Sequence, residues 1–176
     1  MAVTIRPRRE EDIPVLAAIL IRVHELDGYP IEGVADPEGW LRHDSELRSW
    51  TAVEDTTPIG QITLTIGAPS DDAARAWYEH THGDVQFLAI PARLFVAPEH
   101  RGTGAGRLLM KTAIEFARAR KLAIAFDVML KDRAAISLYE SLGAERVAEI
   151  VHRAAPNIEE PAAVYLIPDG PNSAAT

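Results

Sequence analysis

The sequence contains no cysteine. This absence excludes a disulfide framework, a zinc site built on thiolates and a cysteine nucleophile. Long apolar runs are also missing: no segment approaches the roughly 18 uninterrupted apolar residues of a membrane span. The first residues lack the apolar core that a signal peptide needs. We therefore expect a cytoplasmic protein that has no membrane partner.

A basic surplus is missing as well. The chain has 18 lysines and arginines against 26 aspartates and glutamates, a net charge of −8 at pH 7. A nucleic-acid-binding protein normally shows a basic surplus or stripe, so we expect no nucleic-acid partner. The acidic surplus favours solubility, and it is also compatible with attraction of a cationic small molecule.

The pattern of apolar residues predicts a mixture of helices and strands in one domain over residues 1–168, followed by a flexible tail over 169–176. We predict strands at residues 3–7, 49–55, 59–67, 85–98, 122–129, 145–153 and 162–167, and helices at 10–28, 104–121 and 132–143. A short helix is expected near Trp40. Residues 67–85 are interpreted as a surface excursion with one helical turn around 73–78. Pro91 predicts a bulge in its strand.

A glycine-rich loop precedes the second long helix. Gly102, Gly104 and Gly106 occupy alternate positions in "APEHRGTGAGRLLMKTA", residues 97–113. The start of a helix leaves backbone N–H groups without partners and carries a partial positive charge. Glycines remove the Cβ atoms that would keep a ligand away. This combination indicates a phosphate-binding site.

Two well-known phosphate motifs do not fit this loop. A dinucleotide-binding G-x-G-x-x-G motif would need its third glycine at Arg107 or Leu109. A G-x-x-x-x-G-K-[ST] loop would need glycine at Met110. The remaining pattern is R-x-x-G-x-G, formed by Arg101, Gly104 and Gly106.

These residues belong to a longer pattern. Val96 and Pro98 give V-x-P before the loop, and Ala135, Tyr139 and Gly143 give A-x-x-x-Y-x-x-x-G after it. In this order, over residues 94–144, the pattern resembles the GNAT superfamily of acyl-CoA-dependent N-acyltransferases. Two positions depart from the family: Asp132 replaces a frequent asparagine, and Ala144 replaces a frequent aromatic residue.

The resemblance implies an α/β (α+β) fold with a mixed, mostly antiparallel sheet of six to seven strands, flanking helices and a central parallel pair that splays apart. The crossover order of strand, loop, helix and strand independently predicts that strands 85–98 and 122–129 are parallel. The resemblance further implies acetyl-CoA as co-substrate, no metal, and a monomer or homodimer. The implied reaction moves the acetyl group to a primary amine of a small molecule or peptide by direct attack on the thioester. The alternative is a non-catalytic acyl-CoA-binding module of the same fold.

The resemblance also assigns residues to roles. The coenzyme pyrophosphate would be held by Arg101, Gly102, Thr103, Gly104, Ala105, Gly106 and Arg107, and the pantetheine arm would pair with Leu94, Phe95 and Val96. A freed strand amide would polarise the thioester carbonyl. Asp132 would contact the coenzyme and cap its helix. Tyr139 would give its proton to the departing thiolate, and the alternative for this ring is simple packing.

No general base is assigned from the sequence. The candidates are Asp84, Glu79, His80, His82 and Asp127, and a water relay is a further alternative. The histidine pair at 80 and 82 has no third ligand nearby, so it is a weak metal motif. The resemblance places the acceptor between residues 24–44 and 67–85, which are rich in carboxylates. We therefore expect a cationic amine, and the alternative is that these carboxylates only solubilise two loops.

Overall fold

The computed structural model describes residues 2–169, so the predicted tail lies, apart from Asp169, outside the described residues. The strands are β1 Val3–Pro7, β2 Glu46–Glu54, β3 Thr57–Ile66, β4 Leu88–Val96, β5 Ala123–Met129, β6 Glu145–Ala155 and β7 Ile158–Ile167. The helices are α1 Ile13–Asp27, α2 Pro37–Leu41, α3 Asp72–Thr81, α4 Ala105–Ala119 and α5 Arg133–Ser141. Short 3-10 turns cover Glu10–Asp12, Val85–Phe87 and Pro98–His100.

The strands form a mixed sheet of seven strands in the order β1-β2-β3-β4-β5-β7-β6. The pairs β1 with β2, β2 with β3, β5 with β7 and β6 with β7 are antiparallel. Strands β4 and β5 are parallel, with Leu88 opposite Ala123 and Ala89 opposite Ile124. The predicted mixed fold and the predicted parallel pair are therefore confirmed.

The chain divides into two compact units: residues 1–65 with 91–113, and residues 66–90 with 114–176. The expectation of one domain over 1–168 stays a prediction. In the first unit, α1 buries Leu16, Leu20 and Val23 in a cluster with Leu41 and Phe95. Their spacing of three and four residues places them on one face of the helix. Gly28 ends α1 in a left-handed conformation, as the sequence predicts.

An ion pair between the buried Asp12 carboxylate and the partly exposed Arg6 guanidinium fixes the start of α1 to the sheet. The Asp12 carboxylate accepts two hydrogen bonds of 2.7 Å from the Arg6 guanidinium, one of 2.8 Å from the Arg9 N–H and one of 3.0 Å from the Thr51 hydroxyl. Burial opposes ionisation of Asp12, but these hydrogen bonds outweigh it and hold the pKa of its carboxyl below the usual value.

In the second unit, α3 packs against β5, β6 and β7. The prediction of one helical turn here was too short, because α3 has 10 residues. Ala73, Ala76 and Trp77 are buried on one face, and alanines contribute so little hydrophobicity that this stripe is weak in the sequence. His82 ends the helix in a left-handed conformation.

Strand β4 differs from its prediction at both ends and in its interior. It begins at Leu88, because Asp84 accepts the Gln86 N–H and starts a 3-10 turn instead. The backbone departs from the extended conformation at Arg93, with φ of 55°, two residues after the predicted bulge at Pro91.

Candidate active site

The glycine loop leaves open space beside its backbone. Gly102 and Gly104 have φ of 78° and 86°, in the left-handed region that favours glycine. A Cβ atom built on either residue would meet no protein atom within 4 Å. The loop therefore combines a backbone that suits glycine with room for a ligand.

Helix α4 begins directly after this loop. The Leu108 N–H donates to the Gly104 carbonyl at 3.0 Å, which closes the first helical turn. By helix geometry, the amides at Ala105 and Gly106 precede the first residue that has an acceptor within the helix. Leu109 and Met110 are fully buried, so the start of α4 is firmly anchored. This arrangement is suited to an anion.

The 3-10 turn before the loop is held by polar contacts. The Thr103 hydroxyl donates to the His100 carbonyl at 2.8 Å. His100 Nδ1 lies 3.4 Å from Glu54, and Glu99 pairs with Arg22 at 2.9 Å. These contacts fix the loop from its amino-terminal side.

The charges on the loop are exposed. The Arg101 guanidinium is ion-paired with Asp27, the last residue of α1, and both side chains are about 40% exposed (43% and 39%). Arg107, in the first turn of α4, is also exposed. Because it is ion-paired, Arg101 is held at the loop, but its charge is already partly compensated.

Strand β4 has a left-handed residue, Arg93, just before residues 94–96, and its neighbours hold it in that conformation. The Arg93 carbonyl accepts a hydrogen bond of 3.0 Å from the buried Gln61 side chain. The Arg93 guanidinium lies over the Trp40 ring at 4.8 Å and donates to the carbonyls of Trp40 and Arg42. Burial lowers the pKa of Arg93. Contacts of both the Arg93 side chain and the Arg93 carbonyl therefore stabilise its left-handed backbone.

Residues 94–96 follow this irregularity in close contact with β3. A Cβ atom on Gly60 would lie 2.6 Å from the Phe95 carbonyl oxygen, so only glycine allows this backbone approach. The Ala97 N–H donates to the Ile59 carbonyl at 2.7 Å. Phe95 is buried, whereas Leu94 and Val96 are half-buried.

Tyr139 lies on α5 in the second unit. Its ring meets Phe126 edge-on at 4.6 Å, and the residue is half-buried. Burial raises the pKa of the Tyr139 phenol, and the charges of Asp132 and Asp127 add to that rise. The phenol therefore keeps its proton at neutral pH. Asp132 caps α5 as predicted, accepting the Ala135 N–H at 3.3 Å.

The candidates for a general base fall into two groups. Glu79, His80, His82 and Asp84 are exposed around the end of α3. Asp127, on β5, instead lies 3.2 Å from His152 of β6. The sequence gives no sign of this contact, because a single histidine in a strand pattern does not indicate what lies across the sheet. Within residues 2–169, no group of three or more His, Asp or Glu side chains is arranged to hold a metal ion.

A family model described as the acetyltransferase (GNAT) family matches residues 15–144. The chain therefore belongs to this family and is an acyl-CoA-dependent acetyltransferase that uses acetyl-CoA. No curated protein sequence matches the chain. No helix within residues 2–169 has the length and apolar character to cross a membrane.

Solved structures share the fold at low sequence identity. A ribosomal-protein-alanine N-acetyltransferase from Brucella melitensis is 22% identical, with a TM-score of 0.72 over 93% of this chain and 98% of that one. A putative acetyltransferase from Salmonella typhimurium, solved with its cofactor acetyl-CoA, is 19% identical, with a TM-score of 0.73 over 99% and 98%. An N-acetyltransferase from Staphylococcus aureus Mu50 is 15% identical, with a TM-score of 0.72 over 94% and 98%.

Proposed function

We propose that this protein is a cytoplasmic N-acetyltransferase that moves the acetyl group of acetyl-CoA directly to a primary amine of a small molecule or peptide. The observation that carries the proposal is the loop of Gly102 and Gly104, which opens to free space at the start of α4 in a chain of this family. A structure built only for a tight turn would not need an uncovered backbone there.

The loop would bind the coenzyme pyrophosphate. Backbone N–H groups from Arg101 to Arg107 would donate to its oxygens, because the helix start supplies donors and a partial positive charge. Arg101 would exchange part of its pairing with Asp27 for a phosphate oxygen. Arg107, exposed one turn into the helix, would add a second positive charge.

Strand β4 would bind the pantetheine arm and activate the thioester. Leu94, Phe95 and Val96 lie beyond the parallel register with β5, which ends at Ala89 in the described part of the chain. An extended ligand can pair with such a strand edge. A backbone N–H in this stretch would stabilise the negative charge that develops on the thioester oxygen.

Tyr139 would act on the leaving thiolate, and Asp132 would contribute to the coenzyme site from the same helix. A thiol has a pKa near 8.5, well below the raised pKa of this phenol. The phenol is therefore always protonated when the thiolate forms. It would stabilise the thiolate with a hydrogen bond and complete the proton transfer as the proton from the attacking amine arrives.

The acceptor amine is a cation at neutral pH, since a lysine-like group has a pKa near ~10. Only its free base attacks, so turnover should rise with pH.

Most carboxylates of segment 24–46 already have partners within the first unit. These partners are Arg101 for Asp27, the Trp40 indole for Glu32, the Gly39 N–H for Asp36, Arg42 for Glu38 and Arg8 for Glu46. Attraction of a second positive charge would therefore depend on the remaining carboxylates, Glu25 and Asp44 among them.

A comparison of two acceptors tests the preference for a cation. A diamine should have a higher kcat/KM than an amine of similar length with an uncharged tail. The advantage should shrink at high salt, because exposed charges are screened. Equal values that do not respond to salt would leave acceptor choice to shape alone.

A screen of amine classes tests the proposed function itself. Purified protein is mixed with acetyl-CoA and each amine, and release of free thiol is followed. The matched control replaces the amino group with a hydroxyl on the same carbon skeleton. Thiol release with an amine but not with its alcohol supports the proposal. Acetyl-CoA binding without thiol release for any amine would instead indicate a non-catalytic acyl-CoA-binding module.

A further inference from the structure

Three ionisable side chains meet in the second unit, away from the glycine loop in sequence. His152 Nδ1 lies 3.2 Å from the Asp127 carboxylate and 3.9 Å from the Asp72 carboxylate. The three come from different elements: β6, β5 and the first residue of α3. Their side chains are 30%, 23% and 26% exposed, so the group is partly open to solvent, whereas the Nδ1 atom of His152 is buried.

Three further charged side chains lie near His152 and its two aspartates. Asp72 also pairs with Arg75 of the same helix. Across the sheet, His152 is in register with Glu160 of β7, which pairs with Lys131 at 2.9 Å. Glu160 thus has its own counter-charge, whereas Arg75 offsets part of the charge that Asp72 presents to His152. The two aspartates are the carboxylates that lie against the imidazole nitrogen, and they stabilise the positive charge that it gains on protonation.

The position of Asp127 connects this group to the reaction. Asp127 follows Ile124, the last residue of β5 in the described parallel register with β4. Its charge acts on the phenol of Tyr139, the residue proposed to serve the leaving group. Asp72 belongs to segment 67–85, which the family resemblance places at the acceptor. Asp127, a candidate base from the sequence, therefore contacts a histidine.

We propose that His152, held between Asp127 and Asp72, takes the proton that the acceptor ammonium must lose before it attacks the thioester. This inference rests on the proposed function. The ammonium gives one proton to Nε2 of the imidazole, because Nδ1 is buried beside the carboxylates, and the free amine attacks the carbonyl carbon. The C–S bond then breaks, the second amine proton reaches the thiolate by way of the Tyr139 phenol, and the imidazolium returns its proton to water. Asp127 and Asp72 are positioning residues, and a base paired with a carboxylate is a recurrent catalytic arrangement.

The test measures kcat/KM for a primary amine as a function of pH in the wild type and in His152→Gln, Asp127→Asn and Asp72→Asn. Arg153→Gln is the matched control, because Arg153 follows His152 on β6, is exposed and pairs with Glu159 instead. The wild-type profile should rise to a plateau through a midpoint that His152→Gln removes. His152→Gln should lower kcat/KM at pH 7 by roughly 10²–10⁴-fold. Its profile should keep rising toward the pKa of the amine, because only amine already deprotonated in solution can react.

The two aspartate variants separate a chemical role from a structural one. Loss of a carboxylate disfavours the imidazolium, so the midpoint should move to lower pH. The shift should be larger for Asp127→Asn than for Asp72→Asn, in the order of their distances from Nδ1. Loss of the α3 contact alone would reduce stability without moving the midpoint.

Several outcomes would overturn the inference. One is a wild-type rate and profile in His152→Gln. A second is an equal loss in Arg153→Gln. A third is a reduced rate in all three variants with an unmoved midpoint. Each of these leaves the proposed function intact, since the wild type still releases thiol with the amine. Absence of thiol release in the wild type with every amine would overturn the proposed function, and the inference with it.

Discussion

Replacement of Gly104 by valine separates backbone strain from ligand binding, because the chain offers a matched control. Gly104 and Gly143 have φ of 86° and 87°, and a Cβ atom on either meets no protein atom within 4 Å. A side chain in this region costs about 1–2 kcal/mol per residue, and a β-branched one costs more. For a chain of this length each kcal/mol lowers Tm by about 2–4 °C. Both variants should therefore lose several degrees without ligand.

The two variants should differ when acetyl-CoA is present. A ligand at 100 times its Kd stabilises the folded state by about 2.7 kcal/mol, which corresponds to a rise in Tm of roughly 5–11 °C. Wild type and Gly143→Val should show this rise, measured by thermal denaturation with and without acetyl-CoA. Gly104→Val should show almost none, because its side chain fills the space assigned to the pyrophosphate. A full rise in Gly104→Val, or an equal loss in both variants, would place the phosphate site elsewhere.

Other substitutions test the reaction and the scaffold. Tyr139→Phe should keep acetyl-CoA binding in calorimetry but slow turnover by roughly 10²–10⁴-fold; an unchanged rate would make Tyr139 a packing residue. Asp12→Asn should cost about 1.5–3 kcal/mol of unfolding free energy in urea at pH 7, because it weakens the charge-assisted hydrogen bonds to Arg6, whose side chain is 25% exposed. Folding lowers the pKa of Asp12, so this contribution is complete above about pH 4 and is lost as the pH falls through the lowered pKa; a difference that does not change with pH would contradict it. Gly60→Ala should cost about 1–3 kcal/mol through overpacking against the Phe95 carbonyl, and no loss would mean that β4 can shift.

Local patterns predicted the elements that depend on neighbouring residues in sequence. The spacing of Leu16, Leu20 and Val23 predicted α1, and Asp132 with Gly143 predicted the limits of α5. The parallel pairing of β4 and β5 followed from the order of strand, loop, helix and strand. These features could be predicted from the sequence because each depends on residues that are close together in the chain.

Features that depend on residues far apart in the sequence could not be predicted in this way. The left-handed backbone at Arg93 is held by Gln61 and Trp40, which the sequence does not place beside it. The contact of His152 with Asp127 depends on the path of β6 relative to β5. The family pattern predicts a phosphate loop and a role for Tyr139, whereas it predicts neither the proton acceptor nor the acceptor pocket, because these depend on tertiary contacts that the pattern does not specify.

The transfer of the acetyl group itself tests the central claim most directly. Acetyl-CoA deuterated in its acetyl group is incubated with the protein and the best amine from the screen, and the products are followed by mass spectrometry and by free-thiol release. We predict one deuterated acetyl group on the amine nitrogen for each thiol released, with no label on the protein after denaturation. Acetyl-CoA that is bound but recovered intact, with the amine unmodified, would contradict the assignment of this protein as an N-acetyltransferase.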